Sequence, residues 1–378
     1  MSHLQNFKRR ATHTLVKAIT YTQNGEPSQV LKFKQFSLAP PKPNELGLKF
    51  KLSTLNTIQG RYPWKPEIRK DLVEGEQFYI CGNEGLAEVV SLGAHLDPKH
   101  WKIGDWVLMV CTLPEKKKSY CVGKPQLGTW QSHTNLSVDD VVKLPRSKHL
   151  TETQAATMSV NMSTAYRMLK DYLPRPASPD TWIIQNGANS SVGQYLLQLC
   201  KAWNLGCIGL IRDRPNVEEL KAYLTSLGSE NKTSILTYEE LAERPKRPQC
   251  GAISLGLNCV SGNAETVGMM KWMSQGSRLI TYGGMSMKPL VVPTSLLIFR
   301  DLKLEGFMLT TWRMKADPSQ YSNMLQELVG LINQGHLAQL DHTTIVDLNT
   351  PQEEQILHET LNQSMTGRSG KKFLFRFI

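Results

Sequence analysis

The chain has 378 residues, a formal net charge of +11, 40% hydrophobic residues and 20% charged residues. That is enough chain for two domains with a large core, and its composition excludes intrinsic disorder. No apolar run approaches the ~18 residues needed to span a bilayer, and seven cysteines with no C-x-x-C pair argue for a reducing compartment and against a disulfide framework.

Residues 1–14 carry Lys8, Arg9 and Arg10 with hydroxylated Ser2, Thr12 and Thr14, and no acidic residue occurs before Glu26. This is the composition of a mitochondrial presequence, predicting a matrix protein; a basic tail on a cytoplasmic protein is the alternative. Strands are then expected at Leu15–Tyr21, Leu46–Ser53, Leu86–Leu92 and Trp106–Val110, punctuated by glycines, as in a small barrel-like β domain. At Thr151-Glu152-Thr153-Gln154 a capping-box start opens a helix over Ala155–Leu169, with Asn161 interrupting.

From Thr181 the pattern alternates strand and helix. The segment Trp182-Ile183-Ile184-Gln185-Asn186-Gly187-Ala188-Asn189-Ser190-Ser191-Val192-Gly193 reads as a buried strand, a tight glycine-ended turn and a helix start. Tyr195, Leu196, Leu199, Cys200 and Trp203 continue at helical spacing, and Ile208–Ile211 forms a second strand. A first βαβ unit of this kind offers an anion the free N–H groups and the dipole of a helix N-terminus. Taken alone the glycines are weak, because Ser190 and Ser191 stand where a fuller G-x-G-x-x-G carries another glycine. Arg212, Asp213 and Arg214 strengthen the reading, since Arg212 falls close to the expected offset of about 20 residues from the turn. Asp213 alone would accept the 2′-OH of NAD. Two flanking cations favour the 2′-phosphate of NADP, with NAD as the alternative.

Further strands are expected at Thr233–Leu236, Ala252–Leu257, Arg278–Tyr282 and Leu302–Phe307, and helices at Val217–Leu227, Ala264–Trp272 and Ser295–Phe299. Such alternation implies a parallel sheet covered by helices. A helix rich in Met324, Leu325, Leu328, Leu331 and Ile332 begins near Asp317, and Phe373–Phe377 returns to strand. The fold class is therefore α/β: a β-rich domain at 15–158 rejoined by 318–378, with a doubly wound nucleotide-binding domain inserted at 159–317. The basic clusters at Lys8–Arg10, Lys116–Lys118 and Arg244–Arg247 read as solvated surface. Without a zinc-finger, RRM-type or helix-turn-helix signature, nucleic-acid binding is a minority reading.

Several motifs then converge on one family. In order they are Gly82-Asn83-Glu84-Gly85, the helix Thr164–Leu169, the turn Ile184–Gly193, Ile211-Arg212-Asp213-Arg214-Pro215-Asn216 and Thr281-Tyr282-Gly283-Gly284-Met285-Ser286. From about Leu15 to the C-terminus the chain resembles the mitochondrial trans-2-enoyl-thioester reductases, of the quinone oxidoreductase-like branch of the medium-chain dehydrogenase/reductase superfamily. The resemblance implies a GroES-like catalytic domain, a Rossmann domain binding NADPH, homodimers, and an enoyl thioester substrate on coenzyme A or an acidic acyl carrier protein. It also implies no metal, since Asn83 stands where zinc-dependent relatives carry histidine and their cysteine cluster is missing.

The family's catalytic tyrosine motif matches Gln59-Gly60-Arg61-Tyr62-Pro63-Trp64-Lys65-Pro66, which gives Tyr62 that role by resemblance. Cofactor contacts carry over to Asn161, to Asn189, Ser190, Ser191, Val192 and Gly193, and to Arg212, Asp213 and Arg214. They continue at Tyr282, Gly283, Gly284 and Met285, at Phe307, Met308 and Leu309, and at Lys371. Two departures bear on the substrate. Lys51-Leu52-Ser53-Thr54-Leu55-Asn56 replaces the family's N-P-S-D-x-N, and Met308 replaces a tryptophan, exchanging a flat ring for a flexible thioether. A quinone or enone reductase of the same fold is the second reading, and an NADPH-binding regulatory or RNA-binding protein the third.

Overall fold

The structure is a computed structural model that describes residues 13–23, 25–56, 78–109, 128–174, 178, 180–243, 250–262, 264–365 and 371–378. Residues 1–12 of the basic leader, the motif Gln59–Pro66 with Tyr62, and the clusters Lys116–Lys118 and Arg244–Arg247 lie outside the described residues. The chain divides into two compact units, 1–159 with 342–378, and 160–341.

The first unit contains β1 (Thr14–Tyr21), α1 (Pro27–Val30), β2 (Lys32–Leu38), β3 (Glu45–Thr54), β4 (Tyr79–Ile80), β5 (Gly85–Leu92), β6 (Trp106–Met109), β7 (His133–Ser137), β8 (Val141–Lys143) and α2 (Glu152–Ala156). It is the β-rich unit that the glycine-punctuated strands predict. In β3 the even positions Leu46, Leu48 and Phe50 pack with Ala87, Val89, Trp101, Val107 and Leu136. This is the period of two expected for one face of a strand. Each such side chain contributes about 1.5–3 kcal/mol of burial. The expected capping box forms: Thr151 Oγ1 accepts from the Gln154 amide at 3.2 Å, and Gln154 Oε1 accepts from the Thr151 amide at 3.1 Å.

The second unit contains α3 (Ser163–Tyr172), β9 (Thr181–Asn186), α4 (Ser191–Ala202), β10 (Gly206–Ile211), α5 (Val217–Leu227), β11 (Thr233–Thr237), α6 (Tyr238–Glu243), β12 (Ala252–Asn258), α7 (Ala264–Trp272), β13 (Arg278–Thr281), α8 (Thr294–Arg300), β14 (Lys303–Gly306), α9 (Leu309–Lys315) and α10 (Pro318–Asn333). Among the described residues its strands form one parallel sheet in the order β11-β10-β9-β12-β13-β14. Written in chain order within the unit this is 3-2-1-4-5-6, the Rossmann arrangement, whose direction of winding reverses between β9 and β12. Every residue of β10 is buried, which is why its sequence shows no alternation.

Two expectations are modified. The helix expected over Ala155–Leu169 is broken by a π-helical turn at Met158–Met162, so that Asn161 interrupts the helix by widening it rather than ending it. The second crossing between units falls at 341/342 rather than 317/318. Helix α10, expected with the β-rich domain, belongs to the second unit: Glu327 accepts a hydrogen bond from the buried Tyr166 hydroxyl of α3 and pairs with Lys170 at 3.2 Å.

The chain returns to the first unit with β15 (Thr343–Asp347), α11 (Glu353–Met365) and β16 (Lys372–Arg376). Strand β16 runs antiparallel to β3, and Phe373, Phe375 and Phe377 join Ile19, Trp130 and Leu357 in a second core. The Trp130 ring meets Phe375 edge-on at 4.9 Å, and its Nε1 donates to the Thr54 carbonyl at 2.9 Å.

Candidate functional site

The turn between β9 and α4 is built so that a helix N-terminus lies against the strand end. Gly187 has φ +64°, and Gly193 sits where a Cβ would come within 2.6 Å of the Gly187 carbonyl oxygen and 2.7 Å of the Ala188 Cα. Ser190 caps the helix, its Oγ accepting from the Gly193 amide at 3.1 Å. The amides of Ser191 and Val192 have no acceptor within the helix and are available to an anion. Gln194 Nε2 secures the turn by donating to the Asn189 carbonyl at 2.9 Å. Replacing Gly193 by Ala forces backbone apart, so the variant is expected to lose about 1–3 kcal/mol of stability along with cofactor affinity. A thermal melt with and without NADPH reads both, and an unchanged melt would show that the turn has room to spare.

Beyond β10 stand Arg212, Asp213 and Arg214, with Asp213 Oδ1 accepting from the Arg214 amide at 2.9 Å. The Arg214 side chain is partly buried, and among the described residues its Nε, which is shielded from solvent, has no hydrogen-bond partner. Burial, and then the like charge of Arg212, lower its pKa. Two repelling guanidiniums, one with an unsatisfied donor, suit a doubly charged phosphate better than a ribose hydroxyl.

The ends of β12 and β13 form the facing rim. Tyr282 donates its amide to the Asn258 carbonyl, and Met285 and Ser286 donate theirs to the carbonyls of Cys259 and Val260, each at 2.9 Å. This places Tyr282, Gly283, Gly284 and Met285 along the carboxyl edge of the sheet that also carries Asn189–Gly193 and Arg212–Arg214. Burial first, and then the neighbouring Cys259 thiol, push the Tyr282 hydroxyl well above its ordinary pKa.

Sequence reasoning missed what holds this rim. Asn186 ends β9 and Asn258 ends β12, both fully buried at the switch point, and Asn186 Nδ2 donates to Asn258 Oδ1 at 2.8 Å. The Asn186 oxygen accepts the Cys259 amide at 2.8 Å, and the Asn258 oxygen accepts the Ser261 amide at 2.9 Å. Two apolar strands that each end in asparagine were the available signal.

Asn161 lies in the π-helical turn and is almost fully buried. Phe307 and Leu309 are buried on either side of Met308, which is 38% exposed at the start of α9. The structure thus brings Asn189–Gly193, Arg212–Arg214, Tyr282–Met285 and Phe307–Leu309 to one edge of one sheet. Lys371 lies in the other unit, exposed, just before β16.

The first unit holds a polar cluster that was not anticipated. Glu84 is 1% exposed, and Oε2 of its carboxylate accepts from Thr54 Oγ1 at 2.9 Å and Asn56 Nδ2 at 3.1 Å. The Lys372 ammonium donates to Asn56 Oδ1, and burial pulls its pKa down to about 8 against the opposing field of Glu84. Among the described residues no three His, Cys, Asp or Glu side chains gather as a metal site requires.

No family model matches the chain, but whole proteins do. The mitochondrial enoyl-(acyl-carrier-protein) reductase of Schizosaccharomyces pombe is 33% identical over 375 residues, covering 96% of this chain and 95% of its own. The human protein of the same name is 34% identical, covering 85% and 80%. Among solved structures, the complex of Etr1p with NADP and crotonyl-CoA superposes with a TM-score of 0.81 at 31% identity, covering 96% of this chain and 100% of that one. A Bacillus thuringiensis protein described as a putative NADPH:quinone reductase matches at 0.72 but only 19% identity, which shows the fold alone.

Proposed function

Since the chain belongs to the mitochondrial enoyl-(acyl-carrier-protein) reductase family, we propose that it reduces trans-2-enoyl thioesters to acyl thioesters with NADPH. The observation that carries the reading in this chain is the pair Arg212 and Arg214 beyond β10, beside a turn that Gly193 leaves open. The residues fit the cofactor: Arg212 and Arg214 would take the 2′-phosphate, the amides around Ser191 the pyrophosphate, and the β13 and β14 ends the nicotinamide half. When bound, NADPH supplies a hydride to the β-carbon of the enoyl group.

The chain's own part is electrostatic and positional. As the β-carbon gains a hydride, negative charge collects on the thioester oxygen, and a donor preset at that oxygen lowers the barrier. Tyr62 fills this role in our reading, donating to the oxygen or delivering the α-carbon proton directly or through water. The cofactor contacts hold the reacting carbons at short range, converting a bimolecular encounter into an oriented one.

The thioester is carried by coenzyme A or by an acyl carrier protein. A net charge of +11 favours an acidic carrier through long-range attraction. The named relatives are mitochondrial, which supports the matrix; a fluorescent fusion lacking residues 1–14 that still enters mitochondria would remove the leader from this reading. A homodimer is supported by the Etr1p/Etr2p heterodimer of Candida tropicalis, 31% identical with a TM-score of 0.80. Strand β14 is the sheet edge, and Phe299 and Ile298 before it are 77% and 67% exposed. Light scattering of Phe299→Asp is expected to show monomer where the parent is dimeric, and two dimers would move the interface elsewhere.

The functional test compares carriers, acyl chain lengths and simple quinones under identical NADPH. Turnover of enoyl thioesters with little quinone reduction is expected. The reverse preference would establish the quinone reading, and salt-dependent RNA binding without turnover the regulatory one.

A further inference from the structure

We propose that Lys372 is a positioning residue of the reductase: through Asn56 it is tied to the buried carboxylate of Glu84, and the three together hold the chain that leads into the segment carrying Tyr62. The inference rests on the enoyl-thioester reading above.

The register of the sheet makes the contact. Leu374 of β16 lies opposite Thr54 of β3, and Phe375 opposite Ser53, so continuing the pairing sets Lys372 across from Asn56. The Leu55 amide donates to the Phe373 carbonyl at 2.9 Å, extending the ladder by one step. Lys372 Nζ then donates to Asn56 Oδ1 and, at 3.3 Å, to the Leu55 carbonyl. On its other side Asn56 Nδ2 reaches Glu84 Oε2 at 3.1 Å, Asn83 Oδ1 at 3.0 Å and Thr54 Oγ1 at 3.2 Å. An ammonium only donates and a carboxylate only accepts, so the two charges fix which way the amide points.

A packing role alone explains this poorly. Phe373, Leu374 and Phe375 fill the adjoining core, and an apolar side chain at 372 would extend it without burying a charge. What the charged bridge from Lys372 through Asn56 to Glu84 adds is a directed anchor on Leu55 and Asn56, immediately before residues 57–77. The ammonium carries its charge at neutral pH and loses it near pH 8, and Glu84 is the charged group whose field supports it. The other charges on the surrounding elements have their own settings. Lys51 of β3 pairs with Glu88 and Glu152, Glu353 of α11 with Lys17, and Asp347 of β15 accepts the Asn349 amide. Arg376 and His358 lie farther along β16 and α11, and Lys371 is exposed.

The experiment measures kcat and KM for crotonyl-CoA with NADPH from pH 6.5 to 9.5, in the parent chain, Lys372→Gln and Lys372→Arg. Alongside, trypsin cleavage is followed at Arg61, Arg69 and Lys70. In the parent, kcat is expected to fall about tenfold per pH unit above the titration of a single group. Lys372→Gln should sit about tenfold lower at pH 7, lose the alkaline limb and be cut faster between 61 and 70, with NADPH affinity within about twofold. Lys372→Arg should keep most of kcat while its limb leaves the range, because a guanidinium stays charged. A folded Lys372→Gln with the parent's kcat, pH profile and cleavage rate overturns the proposal. If Lys372→Gln fails to fold, Lys372→Arg decides, and an unmoved alkaline limb counts against it. A parent chain without turnover on any enoyl thioester defeats the functional reading instead, and unchanged cleavage in the variants then separately defeats the anchor.

Discussion

Tyr62→Phe is expected to lower kcat on the order of 10²–10³-fold while leaving NADPH affinity where it was. The substitution keeps the aromatic ring and deletes one hydroxyl, so it isolates the donor. A phenol hydroxyl is a hydrogen-bond donor that a phenyl ring lacks. It therefore has a proton to give when charge reaches the thioester oxygen or the α-carbon. Because the loss is confined to the transition state, kcat and kcat/KM should fall together. Equal turnover in the phenylalanine variant would remove Tyr62 from the chemistry, and a loss confined to KM would make it a substrate contact.

The second large effect falls on cofactor choice. Arg212→Ala combined with Arg214→Ala removes both cations beyond β10, each of which, in our reading, would give the 2′-phosphate a charge-assisted hydrogen bond worth about 1.5–3 kcal/mol. NADPH binding should weaken on the order of 10²–10⁴-fold, whereas NADH, which has no 2′-phosphate, should change little. Arg214 is the sharper single change, since its buried Nε has no partner among the described residues. Its lowered pKa, caused by burial and then by Arg212, should return toward the ordinary arginine range once a phosphate pairs with it. Titration of both cofactors by fluorescence checks the selectivity, and equal losses for NADPH and NADH would sink the 2′-phosphate assignment.

The nucleotide-binding half was legible because its signals are local. An apolar strand, a glycine turn and a helical stripe follow one another within residues 182–203, and α5 occupies Val217–Leu227 as its periodicity predicts. The β-rich unit was less so. Strands β7, β8 and β15 are only three to five residues long and take their pairing from distant partners. The placement of α10 depends on tertiary contacts such as those of Tyr166 and Lys170 with Glu327, which no periodicity announces. In the site, Arg212 and Arg214 could be read from their offset to the turn. Asn186 and Asn258 could not, because their meaning depends on two strands 72 residues apart becoming neighbours. Lys372 was hidden by its neighbour: only the register of β16 against β3 distinguishes the lysine tied to Asn56 from the exposed Lys371.

Enoyl-thioester reduction is tested most directly by incubating the purified protein with NADPH and crotonyl-CoA, following cofactor absorbance and the mass of the thioester together. One NADPH is expected to be consumed for each crotonyl-CoA that gains the mass of two hydrogens, with NADH a far poorer donor. NADPH that binds tightly while crotonyl-CoA and longer enoyl thioesters keep their mass would contradict the enoyl-thioester reading.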